Sequence, residues 1–374
     1  MSKNPFVLSV IPPDAPFCNR VEELEQLTSY AIDGTNVVLF SPRRFGKTSL
    51  VKRVQANLAK QGMLVLYADF FGVTSVDDVA GKIARSVYTF IQRNESLMKK
   101  ALRILTTFRP VFKPAEDGSF SISIELARPN LHGIDLLDKT LEDLGVFMEQ
   151  AGPGKIHIVF DEFQEITELK EKRIESTLRS HIQFQQSSYF FVGSRRRILL
   201  EMFNEKNRPL FQSAQLYELK RLPHDDLVEY LVAQFKKGGK PCSEKNAQNI
   251  SSISRQYPYY AQKLALNVYA VSGKVVQAKN ITKALEIMID NETYFYQATL
   301  QSLAPRQIAL LRALAVEPSK TILSNNYIRK HDLGSIGGVQ SAIKKLRQMD
   351  LVEVDTDSRY RTVDPIFSIW LQRL

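Results

Sequence analysis

Residues 37–50 read VVLFSPRRFGKTSL, and the assignment of the whole chain turns on them. Val37 to Phe40 form an apolar run without alternation, the pattern of a short strand buried on both faces. After the polar loop, Leu50, Val51, Val54 and Leu58 recur at helical spacing, and Gly62 marks a stop. Strand, loop and helix are the setting of a phosphate-gripping loop, whose usual pattern is Gly, four residues, Gly-Lys-Ser/Thr. The window Ser41, Pro42, Arg43, Arg44, Phe45, Gly46, Lys47, Thr48 meets that pattern at its last three positions. It departs at the first, where Ser41 replaces glycine. Serine is small and bonds its own backbone readily, so it serves wherever the turn needs no positive φ. Backbone N–H groups from Ser41 to Ser49, together with the helix N-terminus, are then candidates to surround phosphates. Lys47 would reach the β- and γ-phosphates, and the Thr48 hydroxyl would join a Mg²⁺.

Such a loop requires partners downstream. KIHIVFDEFQEI (155–166) supplies a second buried strand that ends in Asp161-Glu162. Asp161 is the candidate Mg²⁺ holder, and Glu162 the group that orients and deprotonates an attacking water. An acidic pair after a strand is, alone, a common solvated turn; the phosphate loop gives it chemical meaning. SSYFFVGSRRRILL (187–200) gives a third buried strand, with Ser194 at its end as the candidate γ-phosphate sensor. Arg195, Arg196 and Arg197 follow as a basic run suited to phosphate, DNA, a neighbouring subunit or simple solvation. MLVLYADFFG (63–72) and AQLYEL (214–219) complete five strands alternating with helices. The expected fold is α/β, a doubly wound parallel five-stranded P-loop domain with its ligand beyond the carboxyl ends of the strands. Between the Walker lysine and aspartate, residues of about 97–130 read as a β-hairpin insertion, with AEDGS (115–119) at its turn and Arg103, Arg109 and Lys113 as a basic surface.

Bulk properties narrow the class. The chain has 374 residues, 44% hydrophobic and 24% charged, as ordinary globular proteins do, and is long enough for two or three domains. No apolar run reaches the roughly 20 residues that span a bilayer. The amino terminus reads as no signal peptide, because Pro12 and Pro13 break its short apolar stretch. Two cysteines, Cys18 and Cys242, make neither a disulfide framework nor a zinc site. A cytoplasmic protein without a membrane partner is expected. The net charge of +10 favours a polyanionic partner.

Beyond the sheet the pattern becomes helical. HDDLVEYLVAQFKKGG (224–239) has acids first, lysines last and glycines as the stop, in the order the helix dipole favours. From Leu303, two helical stretches are followed by a third, GGVQSAIKKLRQMDL (337–351), and then by a hairpin with its turn at Asp355 to Ser358. Ser324 is a candidate cap for the second helix. This is the outline of a winged helix-turn-helix. Its third helix would offer Gln340, Lys344, Lys345 and Arg347 to a major groove, and its wing Arg359 and Arg361 to phosphates. The domain expectation is 1–222 for the ATPase, 223–302 for a helical lid and 303–374 for the winged helix.

Taken in order, these segments resemble the archaeal-type ATPases of archaea and bacteria, close to the STAND branch of AAA+-like (ASCE) P-loop proteins. FCNRVEEL (17–24) is similar to that group's amino-terminal Phe-x-Asn/Gly-Arg-x-x-Glu-Leu box, and SPRRFGKTSL to its phosphate loop, where an initial serine is familiar. IVFDEFQEI, FFVGS and the terminal DPIFSIWLQRL match its Walker B, sensor and tail segments. YPYYAQKLA (257–265) resembles its Gly-x-Pro-Tyr-Tyr lid signature, with Gln256 at the glycine. The resemblance implies adenine contacts at Phe17 and Arg20, with Pro258 of the lid near the base. Gln212 and Ser213 stand where the group often ends a Tyr-Gly-Arg triplet, leaving Arg208 as the arginine nearby. The implied function is a Mg²⁺-dependent ATP-binding and hydrolysing switch, slow without a partner, whose ATP or ADP state controls the tail. Two alternatives stay open: a DNA-binding regulator or initiator in which ATP tunes affinity, and a nucleotide-gated protein-docking scaffold in signalling or defence. Duplex DNA, a protein partner and a second copy assembled on nucleotide are the candidate partners.

Overall fold

Apolar runs flanked by helical segments can bury both faces only in a sheet covered on each side, and the chain folds accordingly. The computed structural model describes residues 4–91, 95–114, 120–152, 154–355 and 357–374. The AEDGS turn lies outside the described residues, as does Thr356 in the wing turn. The chain divides into two compact units, Val10–Lys220 and Met1–Ser9 with Arg221–Leu374.

In the first unit the strands are β1 (Val37–Phe40), β2 (Leu64–Asp69), β3 (Phe108–Pro114), β4 (Phe120–Leu126), β5 (Ile156–Asp161), β6 (Ser188–Gly193) and β7 (Gln215–Glu218). Five of them form one parallel sheet in the order β2-β5-β6-β1-β7. Every residue of β1, β5 and β6 is buried, whereas β7 at the edge is exposed at both ends. Register sets Asp69 beside Asp161 and Phe40 beside Gly193, so the carboxyl ends carrying the candidate site residues lie level. β3 and β4 pair antiparallel as a separate hairpin. The hairpin packs on the helix Val76–Ile91 at Gly81, where a Cβ would stand only 3.2 Å from Ile124 Cδ1.

An aromatic cluster lies under the end of β5. Phe163 is 4.7 Å from Phe191, Phe191 is 4.9 Å from Phe203, and Phe160 is 5.0 Å from Phe70, between ring centroids. Each such ring contributes on the order of 1.5–3 kcal/mol by burial. Because Phe163 immediately follows Glu162, this packing also fixes the backbone of the acidic pair.

The second unit opens with four helices, His224–Lys237, Glu244–Ile253, Pro258–Val271 and Ala278–Gln301. Residues near the amino terminus pack among them: Phe6 is buried 4.6 Å from Phe235, and Asn4 donates to Leu266 O at 3.1 Å. Helices Pro305–Val316, Asn325–Lys330 and Ile336–Gln348 follow, then an antiparallel wing of β8 (Val352–Val354) and β9 (Tyr360–Thr362). Ser324 caps its helix by accepting from Tyr327 N. A last helix, Pro365–Leu371, was not separately expected; Asp364 caps it, and its Phe367 and Trp370 close on Tyr296 at 4.8 and 5.5 Å.

Candidate nucleotide site

The phosphate loop joins β1 to the helix Lys47–Lys60, with Gly46 as N-cap at φ 86°. Left-handed backbone falls on Arg44 and Gly46, and Ser41 is not among the residues with positive φ. That is the physical reason serine is accommodated at the first position. Ser41 and Phe45 are buried, while Arg43 and Arg44 are exposed. Lys47, only 6% exposed, donates to Ser41 O at 3.0 Å, Pro42 O at 3.1 Å and Ser41 Oγ at 3.4 Å. Its ammonium therefore rests on the loop's own carbonyls, which a phosphate oxygen can replace with a stronger, charge-assisted bond. The Ser49 hydroxyl accepts from Ile11 N at 3.0 Å, tying the preceding strap of chain to this helix.

Asp161 ends β5 and is buried. Thr48 Oγ1 donates to its Oδ2 at 2.9 Å, Tyr67 OH to the same oxygen at 2.5 Å, and Glu162 N to Oδ1 at 2.9 Å. Burial pushes the Asp161 carboxyl above its ordinary pKa, against these hydrogen bonds. Above the Tyr67 ring, 3.4 Å from its centroid, sits the Lys52 ammonium, whose pKa burial lowers against the pull of Asp161 and Asp69. A hydroxyl and a buried carboxylate sharing one point are the hard oxygen donors Mg²⁺ takes, and that ion needs few protein ligands because it keeps waters and phosphate oxygens. Among the described residues no group of three or more His, Cys, Asp or Glu forms a metal cluster. Thr48 and Asp161 thus fit Mg²⁺ carried with a nucleotide.

Glu162 occupies left-handed space, φ 48°, where the chain turns into the 3₁₀ segment Phe163–Glu168. Its Oε2 accepts from Ser194 Oγ at 3.1 Å and from Gln164 Nε2 at 2.5 Å. The structure therefore brings Lys47, Thr48, Asp161, Glu162 and Ser194 to the ends of three neighbouring strands. Sequence reading missed Tyr67, Lys52 and Gln164. A polar residue inside the aromatic stretch FDEFQEI was the available signal for Gln164; Tyr67 becomes visible only once β2 is placed beside β5.

Other anticipated residues have different surroundings. Arg20 is buried at φ 71° and donates to Glu23 and to Lys220 O, each at 2.5 Å, joining the FCNRVEEL box to the chain after β7. Phe17 carries the Arg53 guanidinium 4.5 Å from its ring centroid. Both line a cavity of about 600 Å³ between the helices Val21–Ile32 and Lys47–Lys60. Arg195, Arg196 and Arg197 pair with Glu168, Glu218 and Glu201, and Arg208 pairs with Glu175.

In the second unit, Pro258 begins its helix at the first turn, after Arg255 and Gln256 at φ 50° and 59°. Gln256 thus holds the conformation that glycine would adopt freely. Tyr257 OH donates to Glu353 Oε1 of the wing, Arg221 reaches the same oxygen at 2.6 Å, and Arg255 bonds Thr362 O at 3.0 Å and Ser368 Oγ at 2.9 Å. The wing and the last helix are pinned to the chain around Arg221, Arg255 and Tyr257. Gln340, Lys344, Lys345, Arg347 and Arg359 are exposed. Arg361 is turned inward, 17% exposed and against Asp355.

Comparison with known proteins bears on the fold. Residues 294–373 match the model of a family described as a probable winged helix domain. No curated protein matches the chain by sequence. Among solved structures, a Walker-type ATPase of Pyrococcus abyssi is similar with a TM-score of 0.68 at 15% identity, over 96% of each chain. The ORC2 protein of Aeropyrum pernix in its ADP form is similar with a TM-score of 0.56 at 15% identity, over 99% of this chain and 97% of that one. Its ADPNP-ADP complexes give 0.51 at 15% identity, over 100% and 98%. Among the described residues no helix is long and apolar enough to cross a membrane. With the parallel sheet, the phosphate loop and the winged helix in place, the chain shares the fold of these Walker-type ATPase and ORC2 structures and ends in a winged helix.

Proposed function

We propose that the chain binds ATP with Mg²⁺ and hydrolyses it slowly, as a switch whose output is the winged-helix tail. The observation that carries this reading is the meeting of Lys47, Thr48, Asp161, Glu162 and Ser194 at the ends of β1, β5 and β6. Lys47 exchanges the loop carbonyls for the β- and γ-phosphates. Thr48 and Asp161 would hold Mg²⁺, which would offset the charge of the phosphates. Glu162 takes a proton from the attacking water, and Ser194, whose single hydroxyl proton goes to Glu162, senses the γ-phosphate through that carboxylate. Phe17 and Arg20, which line one cavity of the sheet unit, remain the adenine contacts that the family resemblance suggests there. ATP titration by calorimetry tests the binding step. Removing one charge-assisted bond of about 1.5–3 kcal/mol, Lys47→Ala should weaken ATP binding by roughly ten- to a hundredfold, and equal affinity would refute the assignment.

For the tail, the exposed row Gln340, Lys344, Lys345 and Arg347 on one helix favours duplex DNA as the partner.

A further inference from the structure

We propose that Gln164 is a positioning residue for Glu162, seated by Gly193; this rests on the hydrolytic reading above. A carboxylate can act as a base only through an oxygen that is not already saturated with donors. Oε2 of Glu162 takes two, from Gln164 Nε2 at 2.5 Å and Ser194 Oγ at 3.1 Å. These bonds fix the rotation of the carboxylate and leave Oε1 as the oxygen to receive the proton of water. Ser194 arrives from β6; Gln164 arrives from the 3₁₀ turn, so the base is clamped from two elements.

The amide orientation follows from chemistry. Turning it over would set its oxygen against a carboxylate oxygen, so the nitrogen faces Glu162. Gln164 is fully buried, and its Nε2 has one further neighbour, Glu165 Oε1 at 3.5 Å. Its Oε1 has no hydrogen-bond partner. Buried amides seldom leave an acceptor unmet, and such an exception calls for a reason. The reason here is the seat. A Cβ on Gly193 would fall 2.0 Å from Gln164 Oε1 and 2.9 Å from Leu199 Cδ1. Gly193 lies in β6 without positive φ, so its need for glycine is one of space alone. Gln164 and Gly193 form a matched pair: the missing side chain of one admits the amide of the other.

The test is steady-state ATP turnover with Mg²⁺, together with ATP affinity and thermal midpoint, for wild type, Gln164→Leu, Gly193→Ala and the double variant. General-base catalysis supplies about 10²–10⁴-fold, and losing one of two clamps should lower kcat by roughly ten- to a hundredfold. In Gln164→Leu, ATP affinity and thermal midpoint should stay at wild-type values. Gly193→Ala should slow turnover similarly, and the double variant should be little slower than either single one. Wild-type kcat in Gln164→Leu would overturn the inference and leave the proposed ATPase standing. Parallel losses of affinity or folding in Gln164→Leu would overturn it by showing a structural role. No turnover by wild type would overturn the inference together with the hydrolytic reading.

Discussion

Taking the protein from pH 7 to pH 4 should weaken its sheet unit through one side chain, His157. This residue lies in β5, four positions before Asp161, with its ring edge-on to Phe190 at 4.5 Å. Its Nδ1 is 2.8 Å from Ser188 Oγ, and its buried Nε2 has no hydrogen-bond partner. Burial drives its pKa down from 6.5 to about 3. Between those values the folded chain keeps the ring neutral while the unfolded chain protonates it. The unfolded state therefore binds more protons, and stability falls as pH falls from about 6.5 toward 3. Linkage gives about 5 kcal/mol across the whole interval and about 3 kcal/mol by pH 4. The assay is urea unfolding followed by far-UV circular dichroism, comparing wild type with His157→Asn, whose amide can face Ser188 without titrating. Other carboxylates titrate equally in both proteins. The difference between them should therefore shrink by about 3 kcal/mol from pH 7 to pH 4. Fluorescence of Trp370, the sole tryptophan and a member of the other unit, gives an internal control. Parallel pH curves for the two proteins would refute a buried neutral His157.

Tyr67→Phe removes one of the two side-chain donors on Asp161 Oδ2, and outer-shell losses of this kind cost about 10–100-fold in metal affinity. Magnesium titrations of ATP binding should show that loss, and unchanged Mg²⁺ dependence would count against Asp161 as the metal holder. Glu353→Ala leaves Arg221 and Tyr257 without their shared carboxylate. It should lower the stability of the unit that ends in the winged helix by about 2–3 kcal/mol, read as an earlier Trp370 transition in urea. Lys344→Glu combined with Lys345→Glu should weaken duplex binding and flatten its salt dependence by about one unit of log–log slope for each phosphate that is no longer neutralised. Unchanged anisotropy titrations would remove the third helix as a DNA reader.

What could be read before folding was whatever local chemistry announces. β1, β5 and β6 were visible because strands buried on both faces are continuously apolar; Asp161 and Ser194 because they stand at the ends of such strands, and Lys47 and Thr48 because they open the helix after the phosphate loop. The cap at Ser324 and the acid-first, lysine-last helix 224–237 were equally local. What stayed hidden was set by pairing across distance. Tyr67 meets Asp161 only through the β2–β5 register. Gln164 looked like one more polar residue until Gly193 supplied its space. Arg361 and Arg359 share an expected wing face, yet Asp355 draws Arg361 inward and accepts from Arg359 N at 2.9 Å. No periodicity could have separated them.

Steady-state phosphate release from ATP by wild type and Glu162→Gln, each with and without duplex DNA, tests the central claim most directly. The amide keeps the shape of the carboxylate and removes its capacity to take a proton. Wild type should turn over ATP measurably, faster with DNA, and Glu162→Gln should lose about a hundredfold or more with ATP still bound. Turnover by Glu162→Gln equal to wild type, or no turnover by wild type under any condition, would contradict it.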